Sequence, residues 1–162
     1  MPKNFYLTTA IDYPSGRPHI GHAYEKVCAD VFSRWNKLSG KDVFFMTGTD
    51  EHGQKIEKYA KKEKLTPKQF VDKMVPHFKE LTKIYNINYD HFIRTTDPKH
   101  KKYCQEMLQK VYDKGDIYKG KYSGWYCIDC ETYYTEKDLV EGECPTHKKK
   151  AEWIEEEAYF FK

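Results

Sequence analysis

One stretch decides how the chain folds: residues 8–22 read TTAIDYPSGRPHIGH. The apolar run Phe5–Ala10, which leads into this stretch, predicts a short buried strand. A turn rich in proline, serine and glycine follows, and a helix is predicted to begin at Pro18 or His19. A strand, a tight turn and a helix N-terminus present unpaired backbone N–H groups and a positive dipole end to a ligand. The stretch therefore predicts a phosphate site.

The first turn of this helix carries two imidazoles. His19 and His22 are three residues apart and can share one helix face. Gly21 between them has no side chain to block a flat ligand. Two such hydrogen-bond donors can stabilise the negative charge that develops on a phosphate during reaction. The pattern indicates a nucleotide-phosphate site.

The helix itself carries apolar residues at spacings of three and four, which predicts an amphipathic helix packed on a sheet through this stripe. The stripe consists of Tyr24, Val27, Cys28, Val31, Phe32 and Trp35. A second short apolar run, Val43–Thr47, predicts the next strand. Strand, helix and strand in this order favour a right-handed parallel βαβ unit and an α/β fold.

A second polar motif, Thr47–Gly53, follows that strand and reads TGTDEHG. Ligands of open α/β sheets bind at the carboxyl ends of the strands. Both this motif and the pair His19 and His22 follow a predicted strand, so we expect them to meet at one edge. This edge is the predicted active site.

The chain beyond this motif continues as alternating elements. Residues 55–85 are predicted helical, with a capping box at Thr66–Gln69. A strand is predicted at Phe92–Thr95 and a helix from Asp97 to Lys114, with Gly115 as its cap. After Gly115, glycine and tyrosine become more frequent and the apolar runs become shorter. We therefore expect one domain over residues 1–115 and a small second domain over residues 116–162.

The second domain carries a metal-binding pattern. Cys127-x2-Cys130 is followed, after thirteen residues, by Cys144-x2-His147. Three thiolates and one imidazole make a closed tetrahedral Zn²⁺ site, which is structural because no position stays open for catalysis. A disulfide is the less favoured alternative, since cysteines in this spacing suit a reducing compartment.

Composition narrows the class of protein. Of the 162 residues, 33% are charged and 16% aromatic, with a formal net charge of +3. The aromatic content indicates a folded chain, and the mild positive charge is compatible with nucleic acid without requiring it. No apolar run approaches a membrane span and no signal-peptide pattern is present. We expect a cytoplasmic protein with no membrane partner.

Several motifs together resemble one enzyme family. Pro18–His22 resembles the signature of class I aminoacyl-tRNA synthetases, and Ala10–Tyr13 and Thr47–Gly53 resemble the methionyl-tRNA synthetase branch. The zinc-knuckle region through Ala158–Phe161 resembles the connective insert of that branch. The resemblance spans the chain and implies half of a Rossmann-like parallel nucleotide-binding fold, followed by a zinc-binding insert.

The resemblance implies a role for each residue of the ATP site. His19 and His22 would contact the ATP phosphates and stabilise the pentacovalent α-phosphate, and Gly21 would lie beneath the adenine. The alternative for each histidine is capping or packing at the helix start.

The resemblance also implies a methionine site. Asp50 would hold the α-ammonium of methionine, and Ile11 and Tyr13 would line the side-chain pocket. N-capping of the next helix is the alternative for Asp50, and both roles are compatible. Asp12 departs from the proline or tyrosine that related members often have. The residues to which the sequence assigns no distinct role are Asp12, Glu51, His52 and Arg94.

The implied activity is the ATP-dependent, Mg²⁺-dependent conversion of methionine to methionyl-adenylate and its transfer to tRNA(Met). The family also needs a second half of the nucleotide fold, a flexible lysine-rich loop and an anticodon-binding domain, none of which precedes Lys162. We therefore expect this chain to be inactive alone. It would be one subunit completed by a second polypeptide, a product of a longer chain, or a degenerate half.

Two rival functions stay open at this point. The first is a non-catalytic zinc module that binds RNA or a protein partner, for which Lys148–Lys150 beside the knuckle and nearby aromatic residues would be the contact surface. The second is a nucleotidyl transferase of the same superfamily that acts on another carboxylate.

Overall fold

The computed structural model describes residues 3–162 and divides the chain into two compact units, the first ending at Lys101 and the second spanning Lys102–Lys162. The division falls inside a helix, and the domain boundary after residue 115 stays a prediction. No helix among residues 3–162 is long and apolar enough to cross a membrane.

The first unit is a three-stranded parallel sheet with helices. Its elements are β1 (Asn4–Thr8), α1 (Ile20–Leu38), β2 (Asp42–Thr49), α2 (Gln54–Lys62), α3 (Pro67–Ile84) and β3 (His91–Arg94). The strand order is β1-β2-β3, and both pairings are parallel. Tyr6 lies beside Phe44, and Thr49 lies beside Arg94. The predicted α/β class and parallel βαβ unit are confirmed.

The predicted helical stretch 55–85 is two helices. α2 ends at Lys62, and the chain turns through Lys64, whose φ of 58° lies in the left-handed region. α3 then begins at Pro67 under the predicted capping box, with Thr66 Oγ1 accepting from the Gln69 N–H at 3.2 Å. Proline suits this first position because it has no N–H to leave unpaired.

The predicted burial of the α1 stripe is wrong. Tyr24 is 72% exposed and Trp35 is 68% exposed, and Val31 and Phe32 are each 60% exposed. The buried face consists instead of Ala23, Lys26, Ala29, Asp30, Ser33 and Asn36. Small side chains on this face let the helix approach the sheet closely, and its charged members find ion-pair partners. The spacing gave the helical period correctly but selected the wrong face.

Two further surfaces of the first unit lack a partner among residues 3–162. The outer edge of β1 has no strand beside it. On the sheet face away from the Phe45 core, Tyr6 stacks on Phe44 with ring centroids 5.8 Å apart, and these rings are 62% and 46% exposed. We call the α1 stripe, this β1 edge and the Tyr6–Phe44 pair the uncovered surface.

The core of the first unit consists of two clusters. Phe45 of β2 packs with Ala29 of α1 and Ile87. The second cluster joins α2 to α3 and is formed by Ile56, Ala60, Phe70, Val71 and Met74. The first cluster thus holds β2 against α1.

The second unit is built on an antiparallel sheet. Its elements are α4 (Pro98–Asp113, which begins before the unit), β4 (Ile117–Cys127), β5 (Thr132–Tyr134), a 3₁₀ helix (Glu136–Asp138) and β6 (Glu152–Phe161). The strand order is β5-β4-β6. Gly115, at φ +79°, caps α4 as predicted, with its N–H donating to Tyr112 O at 2.8 Å.

Candidate active site and metal centre

The two predicted motifs meet at the carboxyl ends of β1 and β2. The Asp12 N–H donates to Gly48 O at 2.9 Å, and the Asp50 N–H donates to Asp12 O at 2.8 Å. These two hydrogen bonds attach the loop after β1 to the carboxyl end of β2. Ile11 and Tyr13, which flank Asp12, are thereby held next to the segment that carries Asp50.

The two histidines cap α1 reciprocally. His19 Nδ1 accepts from the Gly21 N–H at 3.1 Å, and His22 Nδ1 accepts from the His19 N–H at 3.1 Å. A neutral imidazole that accepts through Nδ1 carries its proton on Nε2. Capping and ligand binding are therefore compatible, because capping uses one nitrogen of each ring and leaves an N–H donor on the other.

His22 lies in a setting that favours the neutral ring. Partial burial lowers the pKa of its imidazole, as does the positive charge of Lys26, while Asp12 opposes them. The ring packs edge-on against Phe78, with centroids 5.5 Å apart. At neutral pH, His22 is consequently an uncharged hydrogen-bond donor.

Asp12, to which the sequence assigns no role, forms a buried ion pair. Its Oδ2 lies 2.5 Å from Lys26 Nζ, and the two side chains are 5% and 0% exposed. Glu25 lies beyond, 3.8 Å from the same ammonium. Burial raises the pKa of the Asp12 carboxyl, and Lys26 acts against that rise. The pair connects the loop after β1 to α1, one turn below His22.

The neighbouring carboxylates Asp50 and Glu51 have different surroundings. Glu51 is buried and accepts from Thr49 Oγ1 at 2.7 Å, from Arg94 Nε at 2.6 Å and Nη2 at 3.0 Å, and from Thr96 Oγ1. Burial acts to raise the pKa of Glu51, but these hydrogen bonds outweigh it and lower that pKa. Glu51 therefore has no free oxygen lone pair to offer a ligand.

Asp50, by contrast, is half-buried and receives a long hydrogen bond of 3.4 Å from Thr95 Oγ1. Its carboxylate stays open to a cation at the strand edge. The sequence does not separate these two adjacent acids, because two partners of Glu51, Arg94 and Thr96, lie on β3 and in the turn after it.

The other predicted site residues lie around this edge. Tyr13 packs against the α2–α3 cluster, and Ile11 is half-buried. A Cβ on Gly21 would lie 3.0 Å from His19 Cε1, so glycine here also leaves room for the capping ring. His52 Nε2 lies 3.3 Å from Thr95 O.

The four predicted metal ligands converge in the second unit. The ligand atoms of Cys127, Cys130, Cys144 and His147 all lie within 4.8 Å of one another. Cys130 Sγ is 3.4 Å from Cys144 Sγ and 2.9 Å from His147 Nδ1. Ligands on a tetrahedral Zn²⁺ with Zn–S near 2.3 Å are about 3.5–3.8 Å apart. The donor set fits the ion, and small shifts of the four ligand atoms would bring their spacing to this range.

Among the four candidate ligands, Cys144 has surroundings that favour the thiolate. Burial acts to raise the pKa of the Cys144 thiol, but hydrogen bonds, among them one from the His147 backbone, lower it to about 5. Tyr134 Oη lies 3.4 Å from Cys130 Sγ. Thiolate is the form that binds a metal ion.

The second unit has little apolar core without this cluster. Its buried hydrophobic residues are Ile117, Cys127, Cys144 and Ala151. Two of these four are candidate metal ligands. A bound ion would therefore replace a core that the sequence does not supply.

The family is shown by comparison with known proteins. The profile described as "tRNA synthetases class I (M)" matches residues 5–158, and the chain belongs to this family. The chain is 51% identical over 162 residues to the methionine–tRNA ligase of Caldanaerobacter subterraneus subsp. tengcongensis, covering 100% of this chain and 25% of that protein. The methionine–tRNA ligase of Thermotoga maritima is 48% identical, with 98% and 26% covered.

A solved structure agrees in fold. The methionyl-tRNA synthetase of Mycobacterium tuberculosis, bound by methionyl-adenylate, matches with a TM-score of 0.91 and 38% identity over 98% of this chain and 32% of that chain. The chain thus spans about a quarter of the length of the curated relatives described above.

Proposed function

We propose that this chain supplies part of the active site of a methionine–tRNA ligase. The carboxylate of methionine attacks the α-phosphate of ATP, which enters with Mg²⁺, and methionyl-adenylate forms as pyrophosphate leaves. The methionyl group then passes to a hydroxyl of the terminal ribose of tRNA(Met), and AMP leaves. The residues proposed to touch the substrates are His19, Gly21 and His22 for ATP and Ile11, Tyr13 and Asp50 for methionine.

The reciprocal capping of α1 is the observation that carries this proposal. It directs the Nδ1 atoms of His19 and His22 to backbone N–H groups and leaves the two Nε2–H donors for a ligand. The attacking group belongs to the substrate, so catalysis needs positioning and stabilisation of charge on the α-phosphate. Neutral donors at a helix N-terminus suit this task, because they bind ATP without a salt bridge that would favour the ground state.

The test is methionine-dependent exchange of pyrophosphate into ATP, measured on the enzyme completed by the rest of the protein. Replacing His22 by Ala should lower kcat by about 100-fold or more, with the methionine KM nearly unchanged. Arg17→Ala, in the turn before the helix, is the matched control and should retain most activity. Exchange that depends on a different carboxylate substrate would overturn the proposal.

We also propose that the rest of the protein, in the same chain or as a second polypeptide, covers the uncovered surface and completes the methionine pocket. Parallel sheets are normally covered on both faces, and here the face that carries Tyr6 and Phe44 lies open. Phe32 and Trp35 of α1 and the β1 edge are open as well. Phe32→Glu should leave the thermal unfolding of this chain nearly unchanged but weaken its association with the remainder. Analytical ultracentrifugation of separately produced parts measures this, with Lys58→Glu, an exposed position on α2, as control.

The proposed metal is one structural Zn²⁺ per chain, held by Cys127, Cys130, Cys144 and His147. The convergence of three sulfur atoms and one nitrogen supports it. Native mass spectrometry should find one zinc per chain, lost in Cys130→Ser. The cytoplasm is the proposed compartment, because the three cysteines must stay reduced to bind the ion.

A further inference from the structure

The acids Asp50 and Glu51 are joined by a set of hydrogen bonds that also includes residues of β3 and the turn after it. The Glu51 N–H donates to Thr95 Oγ1 at 2.8 Å, and the Thr95 N–H donates to Thr49 O at 3.2 Å. The turn after β3 is thus attached to the segment 49–51 by both its backbone and its hydroxyl.

The Thr95 hydroxyl has one proton to donate. Since its oxygen already accepts the Glu51 N–H, that proton points to the remaining acceptor nearby, Asp50 Oδ1 at 3.4 Å. A hydroxyl donates one hydrogen bond and accepts up to two. Thr95 therefore orients one oxygen of Asp50 and leaves the other for a ligand.

Arg94 holds this arrangement in place. Its guanidinium binds both oxygens of Glu51 and also donates through Nη2 to Asp72 Oδ1 of α3 at 2.6 Å. The side chain is 19% exposed and Glu51 is fully buried. A planar guanidinium bound in this two-pronged way fixes the direction of its partner as well as its charge.

We propose that Thr95, anchored through the Arg94–Glu51 ion pair, is the positioning residue for Asp50 and sets the affinity for the ammonium group of the amino-acid substrate. Arg94 neutralises Glu51, so that Asp50 is the carboxylate left to pair with the ammonium. This inference rests on the proposed function, because it assigns the ammonium of methionine to Asp50.

The test compares two ligands that differ by the ammonium group alone. In the completed enzyme, Thr95→Val removes the hydroxyl and keeps the shape of the side chain. We expect the methionine KM to rise about tenfold, as for the loss of one hydrogen bond to a charged group, with kcat and the ATP KM nearly unchanged. Inhibition by 4-(methylsulfanyl)butanoate, which is methionine without its amine, should not change.

Thr95→Ser is the conservative control and should stay within about twofold of the unsubstituted enzyme, since it keeps the Oγ atom. Equal methionine KM values for Thr95→Val and the unsubstituted enzyme would overturn the inference. So would equal weakening of methionine and the desamino analogue, because that result means a general distortion of the pocket.

A second variant tests the same inference in the event that Thr95→Val folds poorly. Arg94→Lys keeps the charge but loses the two-pronged bond, and it should raise the methionine KM with the same insensitivity of the analogue. An unsubstituted enzyme without methionine-dependent exchange would instead contradict the proposed function itself. The two failures are therefore distinguishable.

Discussion

The buried pair Asp12–Lys26 gives a prediction that this chain can test by itself. Lys26→Met keeps the length of the side chain and removes its charge, leaving the Asp12 carboxyl buried without its 2.5 Å partner. Removing one member of a buried pair costs about 3–5 kcal/mol. A domain has about 5–15 kcal/mol in total, so this loss should be a large fraction of the stability of the first unit.

Urea unfolding of the chain, followed by circular dichroism, measures this loss. With a slope of about 2 kcal/mol/M, the midpoint should fall by about 1.5–2.5 M. Asp12→Asn alone should cost less, because Glu25 stays 3.8 Å from the buried Lys26 ammonium. The double variant should recover most of the loss, since replacing both charges of a buried pair is often close to neutral.

The pH dependence has a defined sign. Burial raises the pKa of Asp12 above its ordinary value of 3.8, and without Lys26 nothing nearby opposes burial as strongly. Between the Asp12 pKa of the unfolded chain and the higher Asp12 pKa of the folded Lys26→Met variant, the folded state binds more protons than the unfolded state. The stability of the variant therefore falls as the pH rises up to the folded pKa. Its deficit should be largest at neutral pH and should shrink towards pH 4.

Two results would refute this reasoning. A loss below about 1 kcal/mol in Lys26→Met would mean that the pair is accessible to water. A double variant whose loss equals the sum of the two single losses would mean that the two charges do not interact.

Three further predictions concern other parts of the chain. Gly48→Ala should lower the melting temperature strongly, because a Cβ there would lie 2.1 Å from Ile93 O, whereas Gly16→Ala, with nothing within 4 Å, should not. Cys130→Ser or a zinc chelator should disorder the second unit while amide NMR signals of the first unit persist. Glu51→Gln should flatten the acid limb of the stability curve, because the lowered pKa of Glu51 gives stability that is present above its unfolded pKa and lost as the pH falls.

The parts that were predictable from sequence depend on local patterns. The capping box at Thr66, the βαβ order and the convergence of Cys127, Cys130, Cys144 and His147 all follow from spacings of a few residues. Each pattern places its members together whatever the rest of the chain does. The meeting of residues 8–22 with residues 47–53 follows similarly, since parallel strands carry their carboxyl ends to one edge.

The missed parts depend on partners that lie far along the chain. Arg94 reaches Glu51 across 43 residues and Asp72 across 22, and no spacing rule connects them. The orientation of α1 is also not predictable from sequence, because an apolar stripe indicates that a surface covers it but not which surface. Small and charged residues on the opposite face, including Ala29 and Lys26, packed on the sheet instead.

The uncovered surface has a consequence for the life of the chain in a cell. The uncovered surface combines an open strand edge with exposed apolar residues such as Phe32 and Trp35. Surfaces of this kind bind chaperones, are recognised by proteases and promote aggregation. Without the cover proposed above, these residues should therefore be degraded quickly in a cell. Their lifetime should rise when the rest of the protein buries this surface.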